Sequence, residues 1–163
     1  MVDAAAVAAE IKRFAPEGAA LLLDSRKICK GDVFFAVKGA HTDGRVFIEK
    51  ACSAGASCVV AEKGNIPACS APEIENLYRA LGPIAAAYYG NPTAQMIGIA
   101  VTGTNGKTTT ANWIADLMNR FGTRCACIGT LGCTLSGKVL PSVSMTTPDP
   151  LTLQATFAEL LSL

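Results

Sequence analysis

The residues best suited to chemistry lie together at positions 101–110, VTGTNGKTTT. Gly103 and Gly106 bracket Thr104 and Asn105, and Lys107, Thr108 and Thr109 follow at once. Glycines let a backbone come close to an anion. Successive backbone N–H groups, and the positive end of a helix that follows them, complete a phosphate cradle. A lysine at this position reaches β- and γ-phosphates as a point charge, and the hydroxyl beside it is the Mg2+ ligand of such loops. The stretch therefore predicts a nucleoside triphosphate site, with Lys107 as its catalytic charge and Thr108 as its metal ligand. Val101 stands where G-x-x-x-x-G-K-[ST] requires its first glycine, so the spacing is a shorter one. The bland reading, a turn with a solvated lysine, leaves the surrounding pattern unexplained. The loop by itself leaves kinase, GTPase and ligase chemistry open.

Around the loop, MIGIAVT reads as a buried strand, residues 107–121 as a helix and CACIGT as a further strand. Together they have the length of a strand–helix–strand crossover in a parallel sheet. Trp113, at a helical position, is expected in the core rather than as a base-stacking group, as are Tyr88 and Tyr89. Upstream, Asp3 is placed to cap a first helix. ALLLD (20–24), DVFFAV (32–37) and SCVVAE are short apolar runs that suit buried strands. Residues 45–54 and 73–89 follow helical spacing, and Pro83 threatens a break in the second. GNPTAQ is a dense cluster of turn formers and marks a domain boundary, with 1–92 before it and 93–163 after. Asp149 followed by Pro150 is a helix start, and LTLQATFAELLSL continues helical to the last residue. No internal repeat is visible.

Bulk properties exclude several classes of function. The chain has 163 residues and a formal net charge of +1, with no run of one sign, so nothing points to nucleic acid or an anionic membrane surface. No apolar run is long enough to span a bilayer. Seven cysteines lie mostly within apolar segments, with one histidine and no C-x-x-C pair. That argues against a zinc site and for a reducing cytoplasm. Hydrophobic residues make up 50% and the mean hydropathy is +0.34, rich for a free-standing domain. A small α/β domain followed by the start of a phosphate-loop domain with a parallel sheet is the expected architecture. The second domain reads as truncated, and the chain as the N-terminal part of a longer protein.

TGTNGKTTT resembles the Mur ligase family, ATP-dependent amide-bond-forming enzymes of peptidoglycan assembly and their folate-polyglutamate relatives. LDSRKICKGDVFFAVKGAHTDGRVFIEKACSAGASCVVAE resembles the family's N-terminal, UDP-binding domain. TLGC and SMTTPDPLTLQ resemble the branch that adds the third residue of the peptide. The likeness spans nearly the whole chain, and a DSR-like segment is shared with the branch that adds D-alanyl-D-alanine, which stays open as the alternative. The resemblance implies ATP and Mg2+ at residues Gly103, Thr104, Asn105, Gly106, Lys107, Thr108 and Thr109. It implies UDP-N-acetylmuramoyl-L-alanyl-D-glutamate as one substrate, contacted by Leu23, Ser25, Ala40, His41, Thr42, Thr146 and Thr147. It implies a diamino acid, meso-diaminopimelate or lysine, as the other, and a monomer that engages neither nucleic acid nor membrane. Met145 stands where family members often present a polar residue.

By the same resemblance, the carbamylated lysine, further Mg2+ ligands and the C-terminal amino-acid-binding domain have no counterpart in these residues. The 163-residue chain alone is expected not to catalyse ligation. Read without the resemblance, Ser25 and Arg26 suit an ordinary turn that Arg26 braces, and 146–149 suit a loop feeding a capped helix. A nucleotide-sensing module is the non-enzymatic alternative, and a phosphate-loop kinase or GTPase the enzymatic one.

Overall fold

The computed structural model describes residues 2–39, 42–64, 72–140 and 148–163. Ala40, His41, Met145, Thr146 and Thr147 lie outside them. The chain divides into two compact units, Met1–Pro92 and Thr93–Leu163.

The first unit is an α/β layer structure around a parallel sheet of order β1-β2-β3-β4: Leu21–Leu22, Val33–Ala36, Cys58–Glu62 and Glu73–Ile74. All four residues of β2 are buried, as a strand covered on both faces requires. Phe34, Ala36, Val59 and Ala61 turn to one face and meet Ile48 and Ala51 of α2 (Ile48–Ser53). Alternation sends Val33, Phe35 and Val60 to the other face. There α3 (Leu77–Tyr88) packs on β3 and on α1 (Ala4–Phe14). Ile11, Leu77, Leu81 and Ile84 are fully buried, each worth roughly 1.5–3 kcal/mol by removal from water. Asp3 caps α1 as expected, its Oδ1 accepting from the N–H groups of Ala5 and Ala6 at 3.1 Å. Tyr88 is buried and its hydroxyl donates to the Ala19 carbonyl.

Two expected helices start late. Residues 44–47 form a 3-10 turn before α2, because Asp43 takes the Arg45 N–H and Gly44 N–H goes to the Val37 carbonyl. Residues 73–74 are strand β4 rather than helix, since β3 offers them an edge. Asn76, at φ 56°, then breaks the chain direction. The Glu62 carboxylate, at the end of β3, accepts the N–H groups of Asn76 and Leu77 at 2.9 and 3.0 Å. That cap comes from a distant residue, so local sequence does not announce it. Pro83 sits inside α3 without ending it.

The second unit contains α4 (Lys107–Arg120), a hairpin of three strands and α5 (Pro150–Ser162). Strands β5 (Ala126–Gly129), β6 (Gly132–Leu135) and β7 (Lys138–Leu140) are antiparallel neighbours in that order. Ser136 and Gly137 take φ of 50° and 78° at the β6–β7 turn, the backbone of the tight hairpin turn that Ser-Gly permits. The buried strand expected over 96–102 is not formed: Ile97 is 94% exposed and Ile99 56%. Among the described residues no strand pairs with this segment, and an extended run becomes a sheet strand only where a neighbour takes its hydrogen bonds. The parallel crossover expected through 96–129 is therefore absent from the described residues. Trp113, expected in the core, is 73% exposed on α4. Asp149 caps α5, with Oδ1 accepting from the N–H groups of Leu151 and Thr152 and Pro150 in the first turn.

Candidate functional site

In the second unit, Gly103 has φ 148° and Gly106 φ 76°, values that favour glycine over any other residue. Gly106 stands just before α4, and no side chain caps that helix. Its first N–H groups are therefore open toward an anion, and the helix dipole adds to their pull. Lys107 Nζ donates to the carbonyls of Gly103 (2.5 Å) and Thr104 (3.3 Å), which keeps the ammonium over the loop. Thr108 Oγ1 lies 3.1 Å from Thr130 Oγ1 in the β5–β6 turn. Lys107, Thr108 and Thr130 line one cavity of about 340 Å³, with Val101 and Ile128 among its apolar walls. One lysine and three threonines over apolar walls, at the open start of a helix, is a lining that can take an anionic small molecule. The Thr108 hydroxyl has a proton acceptor beside it, which leaves oxygen lone pairs for a hard cation. One protein oxygen, completed by phosphate oxygens and water, is a donor set that Mg2+ accepts. Thr104, Asn105 and Thr109 are exposed on the same loop and helix start. Thr130 was not among the candidate site residues: it closes the strand run CACIGT and opens TLGC, and neither reading gave its hydroxyl a role; its signal is the turn GTLG between two short β runs.

In the first unit, the described candidates Leu23, Ser25 and Thr42 follow the carboxyl ends of β1 and β2, the side on which open α/β sheets take their ligands. Leu23 and Ser25 follow β1; Ser25 is 7% exposed and opens a 3-10 turn. Asp24 shapes this turn. Its carboxylate accepts the Arg26 backbone N–H at 3.0 Å, and Arg26 Nε and Nη2 at 2.9 and 2.8 Å. Arg26 thus braces the turn and remains mostly exposed. Thr42 is exposed in the loop after β2, and its carbonyl accepts the Gly39 N–H. Asp43 and Arg45 repeat the Asp24–Arg26 arrangement at the end of that loop, with Nε at 2.9 Å and Nη2 at 2.6 Å from the carboxylate. In both pairs the guanidinium hydrogen bonds hold the aspartate at about 2, well below its ordinary value. Sequence reasoning passed over Arg45, although D-x-R recurs at 24–26 and 43–45.

Two family models match the chain: "Mur ligase family, catalytic domain" over residues 19–89 and "Mur ligase middle domain" over 101–162. The chain belongs to the Mur ligase family. Among relatives in that family, the UDP-N-acetylmuramoyl-L-alanyl-D-glutamate–2,6-diaminopimelate ligase of Geobacillus thermodenitrificans is 40% identical over 149 residues, 90% of this chain and 30% of that protein. The enzyme of the same name from Pseudomonas aeruginosa is 42% identical over 145 residues, 86% of this chain and 30% of its own. The chain thus spans about 30% of the length of the curated relatives it matches. A solved structure of a ligase of that name shares the fold with a TM-score of 0.66 at 26% identity, covering 92% of this chain and 32% of the other. A Mur ligase of another branch, MurF from Thermotoga maritima in complex with ADP, gives 0.52 at 28% identity over 74% of this chain and 25% of its own. Among the described residues, no helix is long and apolar enough to cross a membrane.

Proposed function

We propose that this chain is the UDP-precursor- and ATP-binding part of a Mur ligase that joins 2,6-diaminopimelate to the D-glutamate of UDP-N-acetylmuramoyl-L-alanyl-D-glutamate. The observation that carries the reading is the Gly103–Lys107–Thr108 loop at the open start of α4, with Lys107 and Thr108 facing one cavity. The choice of branch is supported by relatives of that name at 40–42% identity across both units.

The glutamate carboxylate attacks the γ-phosphorus of ATP and the bond to the bridging oxygen of ADP breaks. The amine of diaminopimelate attacks the resulting acyl phosphate at its carbonyl carbon, loses a proton and expels inorganic phosphate. The Lys107 ammonium, with the loop N–H groups, neutralises and orients the phosphates of ATP. Thr108 would hold Mg2+, which offsets phosphate charge during the transfer. Leu23, Ser25 and the residues Ala40, His41 and Thr42 that follow β2 in sequence would hold the UDP moiety on the carboxyl-end side of the parallel sheet. Thr146 and Thr147 would contact the peptide end.

The test is thermal stabilisation of the chain by the UDP-muramoyl dipeptide, by UDP and by ATP with Mg2+. A ligand present at a hundredfold its Kd adds about 2.7 kcal/mol to the folded state. The UDP-muramoyl dipeptide should raise the melting temperature by several degrees, and Ser25→Ala should lower that gain. ATP should raise it independently, and Lys107→Ala should remove the ATP gain alone. A shift with ATP or GTP and none with any UDP ligand would return the chain to a generic phosphate-loop protein.

A further inference from the structure

Thr108 and Thr130 come from different elements. Thr108 is in the first turn of α4; Thr130 opens the two-residue turn between β5 and β6. That turn is held by the pairing of Gly129 with Gly132, so the Thr130 position does not depend on the phosphate loop. The two hydroxyl oxygens are 3.1 Å apart, slightly longer than the commonest O–H···O separation, and either can donate. Among the described residues, Thr130 is the side chain that hydrogen-bonds Thr108 Oγ1. Asn112 Nδ2 takes the Thr108 backbone carbonyl and leaves the hydroxyl untouched.

A threonine hydroxyl has one proton and two lone pairs. If Thr108 gives a lone pair to a cation, its proton must point away from that cation and needs an acceptor. We propose that Thr130 is a positioning residue: its oxygen accepts the Thr108 proton and so directs the Thr108 lone pairs at a Mg2+ bound with nucleotide. The inference rests on the proposed reading of the loop as an ATP site. Thr130 itself touches neither metal nor phosphate. Hydrogen-bonding partners of metal ligands commonly change metal affinity 10–100-fold when removed.

The experiment measures binding of a non-hydrolysable ATP analogue to the 163-residue chain by calorimetry, once with Mg2+ and once with EDTA. The readout is the factor by which Mg2+ tightens binding, the Kd with EDTA divided by the Kd with Mg2+. Thr130→Val keeps shape and removes the acceptor, Thr130→Ala removes it by truncation, and Thr130→Ser restores it. The ratio should fall about tenfold in the valine and alanine variants, with the EDTA Kd unchanged, and return in the serine variant. Melting curves matching the wild type establish that each variant is folded; Thr130 is exposed, so its replacement disturbs no core. An unchanged ratio in Thr130→Val and Thr130→Ala would overturn the inference. So would equal weakening with and without Mg2+, which would make Thr130 a shaper of the loop. Wild type that binds the analogue with no Mg2+ enhancement would overturn it as well. Wild type that binds no analogue under either condition would instead overturn the reading of the loop on which it rests.

Discussion

Arg45 meets Asp43 at two points, with Nη2 2.6 Å from Oδ2 and Nε 2.9 Å from Oδ1. The pair closes the loop that follows β2 and starts the turn into α2. Nη1 of the same guanidinium occupies the space that a Cβ on Gly64, just past β3, would need. Arg26 and Asp24 form the same two-point contact after β1. Two neighbouring strand ends are thus shaped by one device, a carboxylate that caps a 3-10 turn and clamps the arginine two residues on. Both clamps lie beside residues proposed to hold the UDP moiety.

The Asp43 clamp should fail in acid. Its hydrogen bonds to Arg45 lower the folded-state pKa from 3.8 to about 2. A folded pKa below the unfolded one contributes stability that is present above 3.8 and is lost as pH falls toward about 2. Asp43→Asn should be less stable than wild type at neutral pH, and the gap should narrow across that window. Both side chains keep some contact with solvent, Arg45 at 22% and Asp43 at 33% exposure, so screening still limits the gap. Urea melts of the two proteins at several pH values from neutral to 2 measure it. A gap that stays constant with pH would mean that shape, not the carboxylate charge, holds the turn.

Gly44, between the clamped residues, is required for space and not for its backbone angle. An added Cβ would stand 2.7 Å from the Val37 carbonyl oxygen and 2.9 Å from its nitrogen. Those are backbone atoms at the end of β2 and cannot rotate aside. The Gly44 N–H also donates to that same carbonyl at 2.8 Å. Gly44→Ala should therefore destabilise the first unit by about 1–3 kcal/mol, the usual cost of forcing atoms into filled space. The denaturation midpoint should drop with an unchanged slope. A loss under about 0.5 kcal/mol, the range of neutral surface changes, would show that the loop backs away.

What the sequence made legible follows the reach of each signal. The cap at Asp3, the glycine loop and its helix, and the Asp149-Pro150 start were readable because each is encoded within a few residues. Ile97 and Ile99 misled, since an apolar run reports a wish to be buried and not the presence of a neighbour to pair with. Glu62 capping α3, and Thr130 reaching Thr108, join residues fourteen to twenty-two positions apart. Spacing rules within one element carry no trace of such contacts. Arg45 was missed for a different reason: D-x-R is too short to register as a repeat until the geometry shows the same clamp twice.

The last prediction separates a cap from a binding residue at Asp149. Its Oδ1 accepts the N–H groups of Leu151 and Thr152 at 3.0 and 3.1 Å, and Oδ2 accepts the Thr152 hydroxyl at 2.6 Å. Leu151 is 1% exposed, so the start of α5 is anchored in its unit and its N–H groups depend on this cap. Removing a cap of this kind costs about 1 kcal/mol, and asparagine replaces aspartate with little loss. Asp149→Ala should speed hydrogen exchange at the Leu151 and Thr152 amides about fivefold, the factor that such a cost implies. Asp149→Asn should exchange close to wild type. If Asn also exchanged about fivefold faster, the negative charge near the helix dipole, and not the hydrogen-bond acceptor, would be what holds the first turn. If neither variant changed exchange, Asp149 would be free for ligand contact and the capping account would fall.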